Sequence, residues 1–305
     1  MTGMRAHLED YLRLRRSLGF KLTYHGYVLP SLVSYLEQVG AATITAELAI
    51  AWAGLPAGVL PITWAHRLGA ARGFARYLAT IDPATQIPPA GIWPTTTPRP
   101  RPWIWAEDDI TRLLAAAGSL RPPLRAVTYQ TLLGLIAATG LRLGEAIGLD
   151  RTDADLDAGV LTIRDTKTAR ARLVPVHPTT ARVLRDYATR RDQLCPRPAT
   201  SRFFISSRGT ALIVSNVDLA VAQLTTAMGL RAAGRRGPRV HDLRHSFTVR
   251  QLIAWHKAGE DVSARLPVLS AYLGHLSIEG TYWYLAAVPE LMELAAARII
   301  AGAPQ

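Results

Sequence analysis

A chain of 305 residues with 49% hydrophobic content is long enough for two domains, each with its own core. Its single cysteine, Cys195, excludes an internal disulfide framework, and a formal net charge of +12 points to a polyanionic partner. That charge is spread along the chain: residues 1–104 carry 10 Lys and Arg against 5 Asp and Glu, and the remainder 25 against 18, which excludes a neutral enzyme with a basic tail.

The first residues, "MTGMRAHLEDYLRLRR", mix acids and bases with no apolar run and no small-residue cleavage site, so a cytoplasmic location is expected. Four segments then keep helical apolar spacing: "HLEDYLRLRRSLGF", "VLPSLVSYLEQVG", "TAELAIAWAG" and "WAHRLGAARGFARYLAT". They predict a small all-helical domain over 1–85. Seven prolines between residues 81 and 103 deny the backbone donors that a helix or central strand needs, which predicts a stiff, extended linker, assigned to 86–104.

The second domain is expected over 105–305. "AEDDITRLLAAAG" places carboxylates in the first turn of a helix, at its positive end. The stretch from Val127 to Leu141, interrupted by Thr128, Tyr129, Gln130 and Thr131, is too short to cross a bilayer and reads as a buried core helix. "GVLTIR" and "ARLVPVH" form a hairpin with the basic tip "DTKTAR". From His177 onward the pattern is helical again, apart from a short strand at "RFFIS". The fold class expected is mainly α with one small β-sheet.

Four places carry chemistry. In "ATGLRLGEAIGLD", Arg142 follows the Gly that ends the core helix, with Glu145 three residues on. Lys167 sits at the hairpin tip among Arg164, Arg170 and Arg172, in a chain with only two other lysines, Lys21 and Lys257. Lysine can give up a proton where arginine effectively cannot, so a lone lysine among arginines fits a proton donor beside a phosphate. "RVHDLRHSFTVRQ" sets His241, Arg244, His245 and Thr248 on one side of a helix, with Val240, Leu243 and Phe247 as its buried stripe. His241 and His245, four apart, would suit a zinc ion, but the zinc-protease helix needs Glu after its first His, and Asp242 stands there. An anion clamp suits this helix better. Last, "LGHLSIEGTYWYL" places His275 on a Gly turn ahead of Tyr282 and Tyr284.

Taken in this order, the four places resemble the tyrosine recombinases, or phage integrases, whose motif order is Arg, Lys, His-x-x-Arg, His or Trp, Tyr. The resemblance spans about residues 103–290; Gly144 and Leu276 stand where Ser is common in the family. It implies an N-terminal helical DNA-clamp (SAM-like) domain and an α+β catalytic domain carrying Arg142, Lys167, His241, Arg244, His275 and Tyr284. The family's nucleophile lies nine residues after the LGH histidine and three after a Thr, and both counts select Tyr284 over Tyr282. Arg164, Arg170, Arg172, Arg235, Arg236 and Arg239 are the arginines expected on DNA. The implied activity is site-specific DNA recombination through a 3′-phosphotyrosyl intermediate, without metal, ATP or other cofactor. The implied partner is double-stranded DNA at a specific recombination site, bound by a homo-tetramer with a dimer per site, in the cytoplasm at the nucleoid and not at a membrane. Rivals are a type IB topoisomerase-like nicking-closing enzyme, a catalytically silent DNA-binding regulator, and a metallohydrolase built on His241 and His245.

Overall fold

The computed structural model describes residues 3–96, 102–164, 171–231, 237–274 and 292–293. The chain divides into two compact units, Met1–Pro100 and Arg101–Gln305.

The first unit is helical: α1 (Met4–Ser17), α2 (Thr23–Gln38), α3 (Ala46–Gly54) and α4 (Pro61–Leu78). The apolar spacing of α2 places Val28, Leu29, Leu32, Val33 and Leu36 on one buried stripe, which meets Trp52 of α3 and Phe74 of α4. Thr45 caps α3 by accepting from the Leu48 amide at 3.2 Å, and Pro61 starts α4 where its missing N–H costs nothing. The helix α2 begins at Thr23, five residues ahead of the apolar run, because its first turn is polar and invisible to hydrophobic periodicity. The proline-rich segment does not leave this unit at residue 85. Gln86 donates its amide to the Ile44 carbonyl at 2.8 Å, and Trp93 packs its ring 5.8 Å from that of Trp64. Aromatic burial therefore holds the early part of the expected linker on the helices.

The second unit contains α5 (Glu107–Gly118), α6 (Pro123–Thr139) and α7 (Leu143–Ile147). A sheet follows: β1 (Ala154–Asp155), β2 (Val160–Arg164) and β3 (Ala171–Pro175), antiparallel in the order β1-β2-β3, with Ile163 opposite Arg172. Then come α8 (Pro178–Leu194), α9 (Val214–Ala227), α10 (Val240–Lys257) and α11 (Val262–Leu273). The core helix expected near 127–141 is α6, apolar on most of its circumference and packed by α5, α8 and α10. On the sheet, alternation sends Leu161, Ile163 and Val174 into the same core. The "RFFIS" segment is not a strand. It makes only two isolated bridges, Asp150 with Arg202 and Ile205 with Ala211, because Phe203 and Phe204 are both buried, which breaks the period of two. A smaller apolar cluster joins the later turns of α10 to α11. None of the described helices is long and apolar enough to cross a membrane.

Candidate active site

The site begins where α6 stops. Gly140 takes φ +66°, in the left-handed region, and a Cβ there would lie 2.5 Å from Cδ1 of Phe247 and 3.0 Å from Cδ2 of Leu273. Only glycine meets both the conformation and the space. The tight exit places Arg142 at the start of α7, where Glu145 accepts from its backbone amide at 3.0 Å and from Nη1 at 2.8 Å. Arg142 Nη2 donates across the unit to the Gly274 carbonyl at 2.9 Å.

The helix α10 supplies Arg244, only 1% exposed, whose Nη1 donates to the Gly140 carbonyl at 2.7 Å and Nη2 to the Leu273 carbonyl at 2.9 Å. From β3, Arg172 donates Nε to the Tyr272 carbonyl at 3.0 Å and forks onto Glu145 at 3.1 and 2.8 Å. Three guanidiniums from α7, β3 and α10 thus converge on the last carbonyls of α11. A helix C-terminus leaves those carbonyls without intrahelical partners and concentrates partial negative charge, so cations gather there. Gly274 closes the cluster with φ +66°, and a Cβ on it would fall 2.6 Å from Arg172 Nη1.

Electrostatics follow from this crowding. Burial pushes the Glu145 carboxyl up, but the Arg172 hydrogen bonds, with those of Arg142, outweigh it and hold the group below its ordinary value. His241 keeps an exposed surface, yet desolvation first, then Arg244, Arg239 and Arg142, lowers its pKa below 6.5 despite the opposing charge of Asp242. Burial and the neighbouring cations thus favour the neutral form of this imidazole. The His241 and His245 rings meet edge to face with centroids 4.5 Å apart. Among the described residues, no group of three or more His, Cys, Asp or Glu is placed to hold a metal ion.

The expected split of α10 into a polar side and an apolar stripe needs correction. Arg244, Ser246 and Thr248 are as buried as Val240 and Leu243, whereas Phe247 is only partly covered. Ser246 and Thr248 meet their burial by donating to the Asp242 and Arg244 carbonyls at 2.8 and 3.0 Å. Asp242, 2% exposed, accepts from the Arg239 amide at 2.8 Å and from its guanidinium.

Of the arginines expected on DNA, Arg164 pairs at 2.7 Å with the buried Asp153 and Arg239 with Asp242, while Arg172 is drawn into the inner cluster. Lys167, Arg170, Arg235, Arg236, His275, Tyr282 and Tyr284 lie outside the described residues. Sequence reasoning placed Glu145 three residues from Arg142 and missed Arg172, 27 positions away, as a partner of that carboxylate. It also missed Trp105, whose backbone amide donates at 2.8 Å to Ser246, 141 positions on. Only the Gly-rich corners around Arg142 and His275 hinted at such close approaches.

The sequence profile described as the Phage integrase family matches residues 105–290. The chain is 45% identical over 306 residues to y4rB of Sinorhizobium fredii (strain NBRC 101917 / NGR234), a protein named for the integrase/recombinase class, and the match spans 98% of both chains. It is 32% identical over 220 residues to tyrosine recombinase XerC of Azotobacter vinelandii (strain DJ / ATCC BAA-1303), spanning 72% of this chain and 68% of that one. A crystal structure of a lambda integrase tetramer bound to a Holliday junction superposes with a TM-score of 0.62 at 17% identity, covering 92% of this chain and 76% of that one. At that identity the likeness is one of fold.

Proposed function

Because the chain belongs to the phage integrase family of tyrosine recombinases, we propose that its site cuts and rejoins DNA strands through a 3′-phosphotyrosyl intermediate, with the labour divided as follows. The protein is a tyrosine-type site-specific recombinase. A phosphodiester resists attack because its nonbridging oxygens are anionic and its 5′ oxygen leaves poorly. Arg142 and Arg244 meet the charge that develops on the nonbridging oxygens, with His275 as a further donor. Arg142 has five N–H donors, and the three contacts made by its guanidinium leave donors for a phosphate.

Tyr284 is the nucleophile. A phenol of pKa about 10 is almost wholly neutral at pH 7, so it needs a base, and the neutral His241 takes its proton. Lys167 protonates the departing 5′ oxygen. The phosphotyrosine keeps the bond energy of the severed link, so religation to another strand needs no nucleotide. The observation that carries the reading is the meeting of the Arg142 and Arg244 guanidiniums at one helix end, with His241 three positions from Arg244 on α10.

The partner in this reading is duplex DNA at a specific site, held by four protomers, two per site. The lambda integrase tetramer on a Holliday junction supports it by likeness of fold. The first, helical unit is the DNA-clamp domain, and the protein works in the cytoplasm on the nucleoid. The test is covalent trapping on a nicked suicide duplex. Wild-type protein and Tyr282→Phe should give a protein–DNA adduct that survives denaturation, and Tyr284→Phe none, with gel-shift affinity nearly unchanged. The opposite pattern would move the nucleophile to Tyr282; no adduct from any form would end the proposal.

A further inference from the structure

In the division of labour among the site residues, Arg172 has no task. It lies on β3 opposite Ile163 and two residues before the buried Val174, so strand alternation turns it inward, while Leu173 between them is 67% exposed. Its side chain is 20% exposed, and a Cβ on Gly274 would fall 2.6 Å from Nη1 and 2.8 Å from Cζ, so the backbone of Gly274 closes over its guanidinium. An arginine covered in this way is poorly placed to meet DNA.

It meets Glu145 instead, and the contacts fill that carboxylate. Oε1 accepts from Arg142 Nη1 at 2.8 Å and from Arg172 Nη1 at 3.1 Å, and Oε2 accepts from the Arg142 amide at 3.0 Å and from Arg172 Nη2 at 2.8 Å. A carboxylate offers about four lone-pair sites, so each has a donor, two from either arginine. The bidentate fork from β3 fixes the plane of the Glu145 carboxylate. The Arg142 guanidinium, 39% exposed and otherwise held by the Leu273 and Gly274 carbonyls, is fixed against it. Arg172 Nε closes the frame on the Tyr272 carbonyl at 3.0 Å, so the carbonyls of residues 272, 273 and 274 accept in turn from Arg172, Arg244 and Arg142. Burial raises the Glu145 carboxyl, and hydrogen bonding from Arg172 is the largest effect against it, ahead of that from Arg142, so Arg172 keeps anionic the group on which Arg142 leans. Without Arg172, two of the four sites empty, and Glu145 and Arg142, three residues apart at the head of α7, are free to turn together toward water.

We propose that Arg172 is a positioning residue for DNA cleavage: through Glu145 it sets the place of the Arg142 guanidinium, and it touches neither phosphate nor base. This role rests on the reading of Arg142 as a donor to the nonbridging oxygens.

The experiment measures single-turnover cleavage of a nicked suicide duplex, well below the melting temperature, by the full chain as wild type, Arg172→Ala, Arg172→Lys, Arg142→Ala and the Arg142→Ala/Arg172→Ala double variant. A misplacement of about 1 Å costs about 100-fold in rate, so Arg172→Ala should cleave roughly 10- to 100-fold more slowly, with gel-shift affinity and its salt slope unchanged. Arg172→Lys keeps the charge but reaches Glu145 without the fork; it should fall between the two, and it replaces the alanine variant if that one does not fold. The double variant should be within about twofold of Arg142→Ala alone, since an arginine already removed cannot be misplaced. A second substrate carries a methylphosphonate at the scissile position, where a neutral methyl group replaces one anionic oxygen while Tyr284 attacks the same phosphorus and the same 5′ oxygen leaves. Less charge then has to be met, so the deficits of Arg142→Ala and Arg172→Ala should shrink together, whereas that of a variant that is merely less stable should not. Losses that multiply in the double variant would overturn the inference, as would an Arg172→Ala deficit that stays whole on the methylphosphonate while that of Arg142→Ala shrinks. So would weaker, less salt-dependent binding with cleavage of bound DNA unchanged, the result expected of a phosphate contact. Wild-type cleavage with a lowered melting temperature, the result expected of a brace for the fold alone, would overturn it too. An Arg142→Ala protein as fast as wild type would strike the reading of Arg142 itself, and this role with it.

Discussion

Replacing Glu145 by alanine removes the one carboxylate that Arg142 and Arg172 share. The side chains of Glu145 and Arg172 are 16% and 20% exposed, so the pair is largely desolvated and the loss cannot be made good by water alone. Breaking a buried pair by deleting one partner costs about 3–5 kcal/mol. Arg172 keeps its bond to the Tyr272 carbonyl and Arg142 its bond to Gly274, which places the expected cost at about 2–3 kcal/mol. For a unit of this size, 1 kcal/mol moves the melting temperature by about 2–4 °C, so a fall of roughly 4–12 °C is expected. The pH dependence identifies the cause. The folded-state pKa of Glu145 is depressed, so its stabilisation is complete above the unfolded value near 4.5 and is lost as pH falls through the lower folded value. Denaturation of wild type and Glu145→Ala should therefore differ most at pH 6–7 and converge toward pH 3. A double-mutant cycle with Arg172→Ala should show a coupling of about 1–3 kcal/mol. A pH-independent difference below about 0.5 kcal/mol would refute the claim that this carboxylate organises the arginine cluster.

Gly140→Ala should cost about 2–4 kcal/mol in a melt and lower cleavage with it, from a strained left-handed alanine and a Cβ 2.5 Å from Phe247; Gly144→Ala, whose Cβ meets nothing within 4 Å, is the control and should be within about 0.5 kcal/mol of wild type. Because His241 titrates below 6.5, single-turnover cleavage should hold its rate as pH falls through 6.5 and drop only below it, whereas a drop centred at or above 6.5 would argue against His241 as the base. Lys167→Ala should lose cleavage of ordinary DNA but recover much of it when the 5′ bridging oxygen is sulfur, which leaves as a thiolate without an acid; Arg142→Ala and Arg244→Ala should stay slow on both, and a Lys167→Ala protein equally slow on both would show that this lysine only positions DNA.

The local features were legible in the sequence by itself. The apolar spacing of α2 and α6, the carboxylates opening α5 and the alternation of β2 and β3 are decided within one or two turns or a few strand residues, so composition and period reveal them. The residue types of the site were legible for the same reason: His241 and Arg244 are three apart on one helix, and Arg142 follows the Gly that ends another. Which group each arginine would meet was decided only by the tertiary structure. Arg244 reaches Gly140, 104 positions back, Arg172 reaches Tyr272, 100 positions on, and Arg142 reaches Gly274, 132 positions on. No short-range pattern encodes such meetings, because they depend on how α6, α10 and α11 pack. The same packing buries Thr248 with Arg244, and it leaves residues 202–205 without the alternation of a strand. It also separates arginines that sequence treats alike. Arg172, with a side chain 20% exposed, shares Glu145 with Arg142 inside the cluster, whereas Arg164, 66% exposed, reaches the buried Asp153 from the surface, because packing alone decides which carboxylate comes within reach of each.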